Sequence, residues 1–568
     1  MPAFLAACPQ ASSPESETDS GRDTGGDSAP CTDASWFRDA DGDGLGDGAT
    51  SVVACEAPEG FVAQAGDCDD SHPTAGDGAD ERQADGVDND CDGVGATGNA
   101  GRLSPWRVAG EPGGDTYVGR SIALGDADGD GFGDLFVTMP GNFSEDPQQE
   151  GLAMVFGGPL VASDTVATRA EATAVLVAAP WNRASEVCVV GDTDGDASIE
   201  FLVGAPNAVE YDEGGVAYLA SGPFSGTRQI ASESRTFYGE AFGHRLGYCA
   251  GPGDIDGDGL ADLVLAAPAD WAEDPAHGRV YVLLGPLEHA AVTEADMILE
   301  GQRDREHLGL ALTGAGDVDG DGRGDFVASD GYEGGVGALV VTEFIEGRPS
   351  ADEAAARVLY TAGDDGILDM VRPGMLGDTN GDGYADVGFG EVASTGTAGH
   401  SYWVLHGPIV AGERRILTED SALVLYTSNR GSGSALEAGV ALGDFNDDGV
   451  VGDDIALGDH EFMTSLIPDD DLDCFSVERR CLPGAVFLIA APLAPGTYEL
   501  DASFDRIEGV DKHSQFGEVL AAGDVDNDAL ADLIVAAPNH DWAGEGYRGM
   551  VYTFPGGRPT LHEARDRE

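Results

Sequence analysis

An acidic nine-residue loop followed at once by a short apolar strand recurs seven times in this chain. In the first copy the loop runs from Asp126 to Asp134 (DADGDGFGD), and LFVTMP follows it. The copies open at Asp126, Asp192, Asp254, Asp317, Asp378, Asp444 and Asp524, at intervals of 66, 62, 63, 61, 66 and 80 residues. A fixed period with carboxylates at fixed offsets marks one supersecondary unit copied in tandem. Such a unit buries its apolar face only against its neighbours. At 568 residues the chain is too long for one simple core, and the copies account for most of it.

The loop has the chemistry of a hard-cation cage. Side chains at positions 1, 3 and 5 converge when the backbone turns tightly, position 7 offers a carbonyl, and position 9 adds a carboxylate. Position 6 is Gly in five copies, which permits positive φ at the bend. An all-oxygen ligand set suits Ca²⁺ better than softer metals, or than Mg²⁺, which keeps its waters. The expected ligands are Asp126, Asp128, Asp130 and Asp134 in the first copy, and Asp192, Asp194, Asp196 and Glu200 in the second. Asp254, Asp256, Asp258 and Asp262 follow, then Asp317, Asp319, Asp321 and Asp325. The fifth copy offers Asp378, Asn380, Asp382 and Asp386; the seventh offers Asp524, Asp526, Asp528 and Asp532. The sixth carries inserted residues, with Asp444, Asn446 and Asp448, and either Asp453 or Asp454 as its last ligand. It and the two loops with alanine at position 6 (Ala197, Ala529) are expected to bind most weakly. An EF-hand is excluded, because position 12 of the first copy is Val137, inside an apolar strand.

Strand-like segments surround each loop. A glycine-containing strand precedes it (FGEVLAAG), an apolar strand follows (DLIVAAP), and a third comes about 15 residues later (GRVYVLLG). A weaker fourth, such as DMILEG, precedes the next copy. Four strands per unit of about 62 residues, repeated radially, predict an all-β, seven-bladed β-propeller. The residues resemble the FG-GAP repeat of the integrin α-subunit propeller: Phe242-Gly243 and Phe516-Gly517 supply one half of the motif, and Gly204-Ala205-Pro206 the other, with AAP at 266–268 and 536–538. The resemblance spans about 102–556, and seven is that family's blade number. The last copy ends without a fourth strand, while a spare one stands before the first loop (SPWRVAG, 104–110). That segment is expected to complete blade seven as a clasp, removing open sheet edges.

Residues 33–98 form a separate acidic, cysteine-bearing module. It starts WFRDADGDGLGDG, with Asp39, Asp41, Asp43 and Asp47 at the offsets of the blade loops. With CEAPEG, GDCDDSHP and DGVDNDCDG it resembles the MopE-type metal-binding repeat of bacterial surface proteins, but Ala84 replaces the usual cysteine before one DG. A unit so poor in apolar residues needs metal and disulfides to hold its shape. Ahead of it, residues 1–32 read as a truncated leader and a disordered tether. Leu5-Ala6-Ala7-Cys8 resembles a bacterial lipobox, which makes Cys8 the expected lipidation site. Residues 557–568 are a charged tail.

There are 104 acids and 29 bases, a formal charge of −75. Such a surface repels nucleic acid and anionic membranes and attracts cations. Membrane association is expected only through the lipid anchor. Nine cysteines suit an exported protein: with Cys8 set aside, eight remain. Cys474 and Cys481 are close enough to staple one loop. Cys188 and Cys249 lie four and five residues before adjacent loops, as a disulfide between blades or as two buried thiols.

No GxSxG elbow or HExxH motif occurs, so no catalytic residue is assigned. The expected role is a Ca²⁺-binding, extracellular or cell-surface adhesion or recognition protein, in the manner of a bacterial outer-membrane lipoprotein. By the integrin resemblance, ligands meet the face opposite the metal loops, where Trp181, Tyr211, Trp271, Tyr332 and Trp542 suit a protein or glycan partner. An extracellular hydrolase or lyase working at the propeller channel, and a purely structural envelope protein, are the alternatives.

Overall fold

In a computed structural model of the chain, the described residues are 34–39, 45–67 except 56 and 59, 97–99, and most of 106–556. Within that last span the description leaves out 112–114, 142–150, 161–165, 180–182, 209–213, 242, 270–276, 288–290, 303–305, 331–336, 360–367 and 394–399. It also leaves out 428–435, 447–451, 461, 463–474, 477–478, 481–482, 493–494, 501–503, 510–513 and 541–546. Two compact units appear, 1–78 and 79–568. In the first, Ala34–Arg38 pairs antiparallel with Gly46–Ala54 in a four-stranded sheet, and Trp36 Nε1 donates to the Ala54 carbonyl at 3.0 Å.

The second unit is the seven-bladed propeller. Blade three shows the plan: Tyr248–Gly253, Asp262–Ala267, Arg279–Leu283 and Met297–Glu300 pair antiparallel in that order. Each blade repeats it, and the first strands touch one another around a closed ring. The sequence reading of an all-β propeller holds.

The second strands are continuous apolar runs because both of their faces are buried. Leu263, Leu265 and Ala267 enter the core shared with blade two, while Val264 and Ala266 enter the core shared with blade four. Side chains alternating across a strand thus serve two cores, with no polar face to leave. Among the described residues seven such clusters occur, one per blade junction. At the junction of blades one and two, Phe136 and Phe201 stack at 3.8 Å.

The first strand of blade three has a register shift between Ala250 and Gly253, and Gly253 has φ of 89°. A bulge with a left-handed glycine bends the strand end and aims the loop that starts at the next residue.

Closure uses the expected clasp. Trp106–Ala109 pairs antiparallel with Met550–Phe554 as the fourth strand of blade seven. The closing segment also starts earlier than sequence suggests: Thr97–Asn99 pairs in parallel with Asp505–Glu508 of blade six. Equivalent parallel pairings link neighbouring blades elsewhere, as Gly226–Gln229 with Ala174–Val177 and Arg414–Ile416 with Ala355–Leu359. Cys188 and Cys249 form a disulfide between the first strands of blades two and three, with Cα atoms 6.3 Å apart.

Candidate metal sites

The described loops are folded by their own carboxylates. In blade one, Asp126 Oδ1 accepts the Gly129 amide at 2.8 Å, and Oδ2 accepts the Gly131 amide at 2.9 Å. Blade three repeats this from Asp254 to Gly257 and Gly259 at 2.6 and 2.8 Å. Positions 4 and 6 are both left-handed, with φ of 82° at Gly257 and 93° at Gly259. The need for glycine at position 4 escaped the sequence reading. Blade seven meets the same geometry without glycine, with φ of 66° at Asn527 and 73° at Ala529.

Position 9 does more than offer a ligand. Asp134 is buried; its Oδ2 accepts the Ala127 amide at 2.8 Å and its Oδ1 the Gly158 amide at 2.9 Å. Gly158 follows the third strand, so this carboxylate ties the loop to the next turn of its blade. Asp262, Asp386 and Asp532 do the same through Gly285, Gly407 and Gly556. In blade six Asp454 takes the role, accepting Phe445 at 3.1 Å and Ala491 at 2.8 Å. Asp453 instead accepts the Asp378 amide at 2.7 Å and braces the neighbouring loop. Asp454 thus stands at the structural equivalent of position 9.

Among the described residues, positions 1, 3 and 9 converge in five loops. The groups are Asp126/Asp128/Asp134, Asp192/Asp194/Glu200, Asp254/Asp256/Asp262, Asp317/Asp319/Asp325 and Asp524/Asp526/Asp532, each with ligand atoms within 4.8 Å of one another. Position 5 stands outside these groups. Asp130, Asp196, Asp258, Asp321 and Asp528 are exposed and accept the amide two residues on, at 2.8–2.9 Å. The fifth loop keeps the same turn: Asp378 accepts Gly381 and Gly383 at 2.7 Å, and Asp382 accepts Tyr384 at 3.0 Å. Asn380 accepts the Asp382 amide at 2.8 Å. In the sixth, Asp444 and Asn446 are described and Asp448 is not.

Electrostatics favours a cation here. Burial, reinforced by the charges of Asp319, Asp321 and Asp317, pushes the Asp325 carboxyl up to about 8. Burial raises Asp262 and Asp532 to about 6. Each sits among neighbouring carboxylates of its own loop, whose charges raise it further. Glu200 carries the same demand in its hydrogen bonding. Its Oε2 accepts Thr193, while its buried Oε1 accepts no hydrogen bond among the described residues. A hard divalent cation fits this donor set.

Of the other expected site residues, Asp39 and Asp47 lie in the described part of the small unit. Asp41, Asp43, Cys8, Trp181, Tyr211, Trp271, Tyr332 and Trp542 lie outside the described residues.

One set of residues was missed altogether. Six residues before each loop, or seven in blade four, stand Arg120, Glu186, Tyr248, Leu310, Arg372, Ala438 and Glu518. All seven line one cavity on the propeller axis. The signal was present as a position of the repeat, but it has no constant residue type.

Residues 247–283 and 516–554 match the FG-GAP repeat family. Integrin alpha-PS2 of Drosophila melanogaster is 37% identical over 163 residues, covering 28% of this chain and 11% of that protein. Integrin alpha-IIb of Homo sapiens is 32% identical over 174 residues, covering 28% of this chain and 16% of that protein. The chain therefore spans a small part of these relatives' length. The solved structure of the Dos1 propeller aligns at TM-score 0.38 and 8% identity, covering 82% of this chain and 98% of that one. The chain is an all-β protein that carries FG-GAP repeats in a seven-bladed propeller.

Proposed function

We propose that this propeller is a Ca²⁺-stabilised recognition module, displayed outside the cell and held there through Cys8. The observation that carries the reading is the convergence of three acids in five loops, each group including one buried acid that also anchors its loop. Neutralising those acids couples ion binding to the rigidity of one whole face. Affinity in the range of extracellular modules, about 10⁻⁴–10⁻³ M, suits a structural ion. Asp39, Asp41, Asp43 and Asp47 extend the same chemistry to the N-terminal unit. Similarity to integrin alpha chains supports an adhesive role, with a protein or glycan partner on the face opposite the loops.

The test is thermal unfolding in excess EDTA, followed by back-titration with Ca²⁺ and, separately, Mg²⁺. A reversible rise in melting temperature that Ca²⁺ produces and equimolar Mg²⁺ does not is the expected result. An unchanged transition would remove calcium from the reading.

A further inference from the structure

Neighbouring loops are bonded to one another. The amide at position 8 of one loop donates to the carbonyl at position 1 of the loop in the preceding blade. Ala261 donates to Asp192 at 2.8 Å, Gly324 to Asp254 at 2.7 Å, Ala385 to Asp317 at 3.0 Å, and Asp453 to Asp378 at 2.9 Å. Loops two to six are thereby joined in one run. Among the described residues, no such bond joins loops one and two.

A side-chain contact runs beside three of these bonds. The residue at position 7 lies over the position-4 glycine of the preceding loop: Leu260 over Gly195, Arg323 over Gly257 and Tyr384 over Gly320. A Cβ on those glycines would meet the covering side chains at 3.5, 3.2 and 2.5 Å.

Both contacts bear on the groups that would hold an ion. Asp192, Asp254 and Asp317, at position 1, each fold their own loop by accepting its position-4 and position-6 amides. Their side chains also belong to the converging acid groups. Position 8 immediately precedes the buried acid at position 9. An ion on one loop therefore fixes the carbonyl that orients the position-9 acid of the next. Order supplied by the first ion is then not needed from the second.

We propose that hard divalent cations fill loops two to six cooperatively, each filled loop raising the affinity of its neighbours. The coupling rests on these loops being cation sites, and by linkage it is mutual. Charge alone has the opposite sign, because like ions on adjacent loops repel.

Tyr384 supplies a probe. Its ring stands between loops four and five, so it sensitises the emission of Tb³⁺, a hard cation that takes oxygen ligands as Ca²⁺ does. Tb³⁺ titration of the full chain, at about 0.15 M salt and read by the emission that Tyr384→Phe abolishes, gives the midpoint of these two loops. Asp256→Ala, which removes a ligand from loop three, should raise that midpoint at least about fivefold. Asp256→Asn, which keeps an acceptor there, should raise it less. Asp128→Ala in loop one, outside the bonded run, should leave it within about twofold. Repulsion predicts a fall instead, since an empty Asp256→Ala loop, with Asp254, Asp258 and Asp262, is more negative than a filled parent loop. Melting curves of each variant show that the ring is intact. An unmoved or lowered midpoint in intact Asp256→Ala overturns the coupling and leaves the loops as cation sites. So does an equal rise from Asp128→Ala. Absence of Tyr384-dependent emission removes the ion from these loops, and the coupling with it.

Discussion

The Asp262 carboxylate accepts the Gly285 amide at 2.9 Å, joining the end of the blade-three loop to the turn after its third strand. Its second oxygen accepts Ile255 at 2.6 Å, and the residue is fully buried. Two roles therefore meet in one group, and mutation separates them. Asp262→Asn turns one acceptor into a donor that faces a backbone N–H. It should cost about 2 kcal/mol even in EDTA, because a charge-assisted bond is lost. Asp256→Asn removes a charge from the same group but leaves that tie intact. Its cost should appear only with Ca²⁺ present. Urea unfolding of both variants with and without EDTA reads the difference, and equal losses in EDTA would refute the division of roles.

The clasp should govern the whole ring rather than one blade. Trp106–Ala109 pairs with Met550–Phe554, while the Ala109 amide donates to Ala167 of blade one at 2.9 Å. Thr97–Asn99 meanwhile pairs with blade six. Val108, wholly buried in the core between blades seven and one, is the point to probe. Val108→Ala should cost about 2 kcal/mol by cavity formation. Deleting residues 97–109 should abolish the cooperative transition. A deletion variant that still melts in one sharp step would show that closure does not depend on this segment.

Loop seven tests the backbone argument. Ala529 holds φ of 73° where blade three has Gly259 at 93°. Ala529→Gly relieves a left-handed alanine and should gain up to about 1 kcal/mol, offset in part by the freer unfolded chain. Gly259→Ala should lose a similar amount. A Cβ there would meet nothing within 4 Å, so the cost is conformational alone. Chemical denaturation measures both, and a neutral Gly259→Ala would count against strain as the limiting factor.

The disulfide between Cys188 and Cys249 closes a loop with a sequence separation of 61. On the chain-entropy view such a crosslink contributes about 4 kcal/mol, and engineered cases usually yield less. Reduction should lower the melting temperature without breaking the ring, since the core of that junction stays buried. Scanning calorimetry with and without a reductant decides this. No shift on reduction would mean the packing alone fixes the two strands.

Some of this was readable from residues alone, for physical reasons. The runs DLVLAA and DLIVAA have no polar face because Leu263 and Val264 point into different cores, so unbroken apolarity signalled strands buried on both sides. Acids at fixed offsets were legible because a tight turn gathers them, but the reading put the convergence at positions 1, 3 and 5 with 9 as an addition, whereas the groups form from 1, 3 and 9. The parallel segments such as Gly226–Gln229 were not, since GTRQ is exposed and polar and its pairing comes from the neighbouring blade. Nor was the axial ring. Arg120 and Glu518 lie 398 residues apart and meet only once the circle closes. The double duty of Asp262 was hidden as well, because a buried carboxylate that holds two amides looks in sequence like any other acid.

Glu186 gives the axis a pH signature. Burial pushes its carboxyl up to about 7 from an ordinary 4.5, against the opposing pull of Arg120, Arg372, the Ser185 hydroxyl and Arg245. Tyr248, itself raised by burial and by Glu186, faces the same space. The folded ring thus binds this proton more tightly than the unfolded chain does. Its contribution is fully present below about 4.5 and is lost as pH rises through about 7. Each tenfold gain in proton affinity is worth about 1.4 kcal/mol, and water reaching a half-buried carboxyl screens part of it, so a loss of about 1–2 kcal/mol is expected. Glu186→Gln keeps the shape and removes the titration. The difference between parent and variant stability should therefore grow in the variant's favour from pH 5 to pH 7.5 by about that amount. Urea midpoints at four or five pH values measure it. Parallel curves for the two proteins would place the proton elsewhere, and a difference of opposite sign would mean that the arginines around Glu186 outweigh its burial.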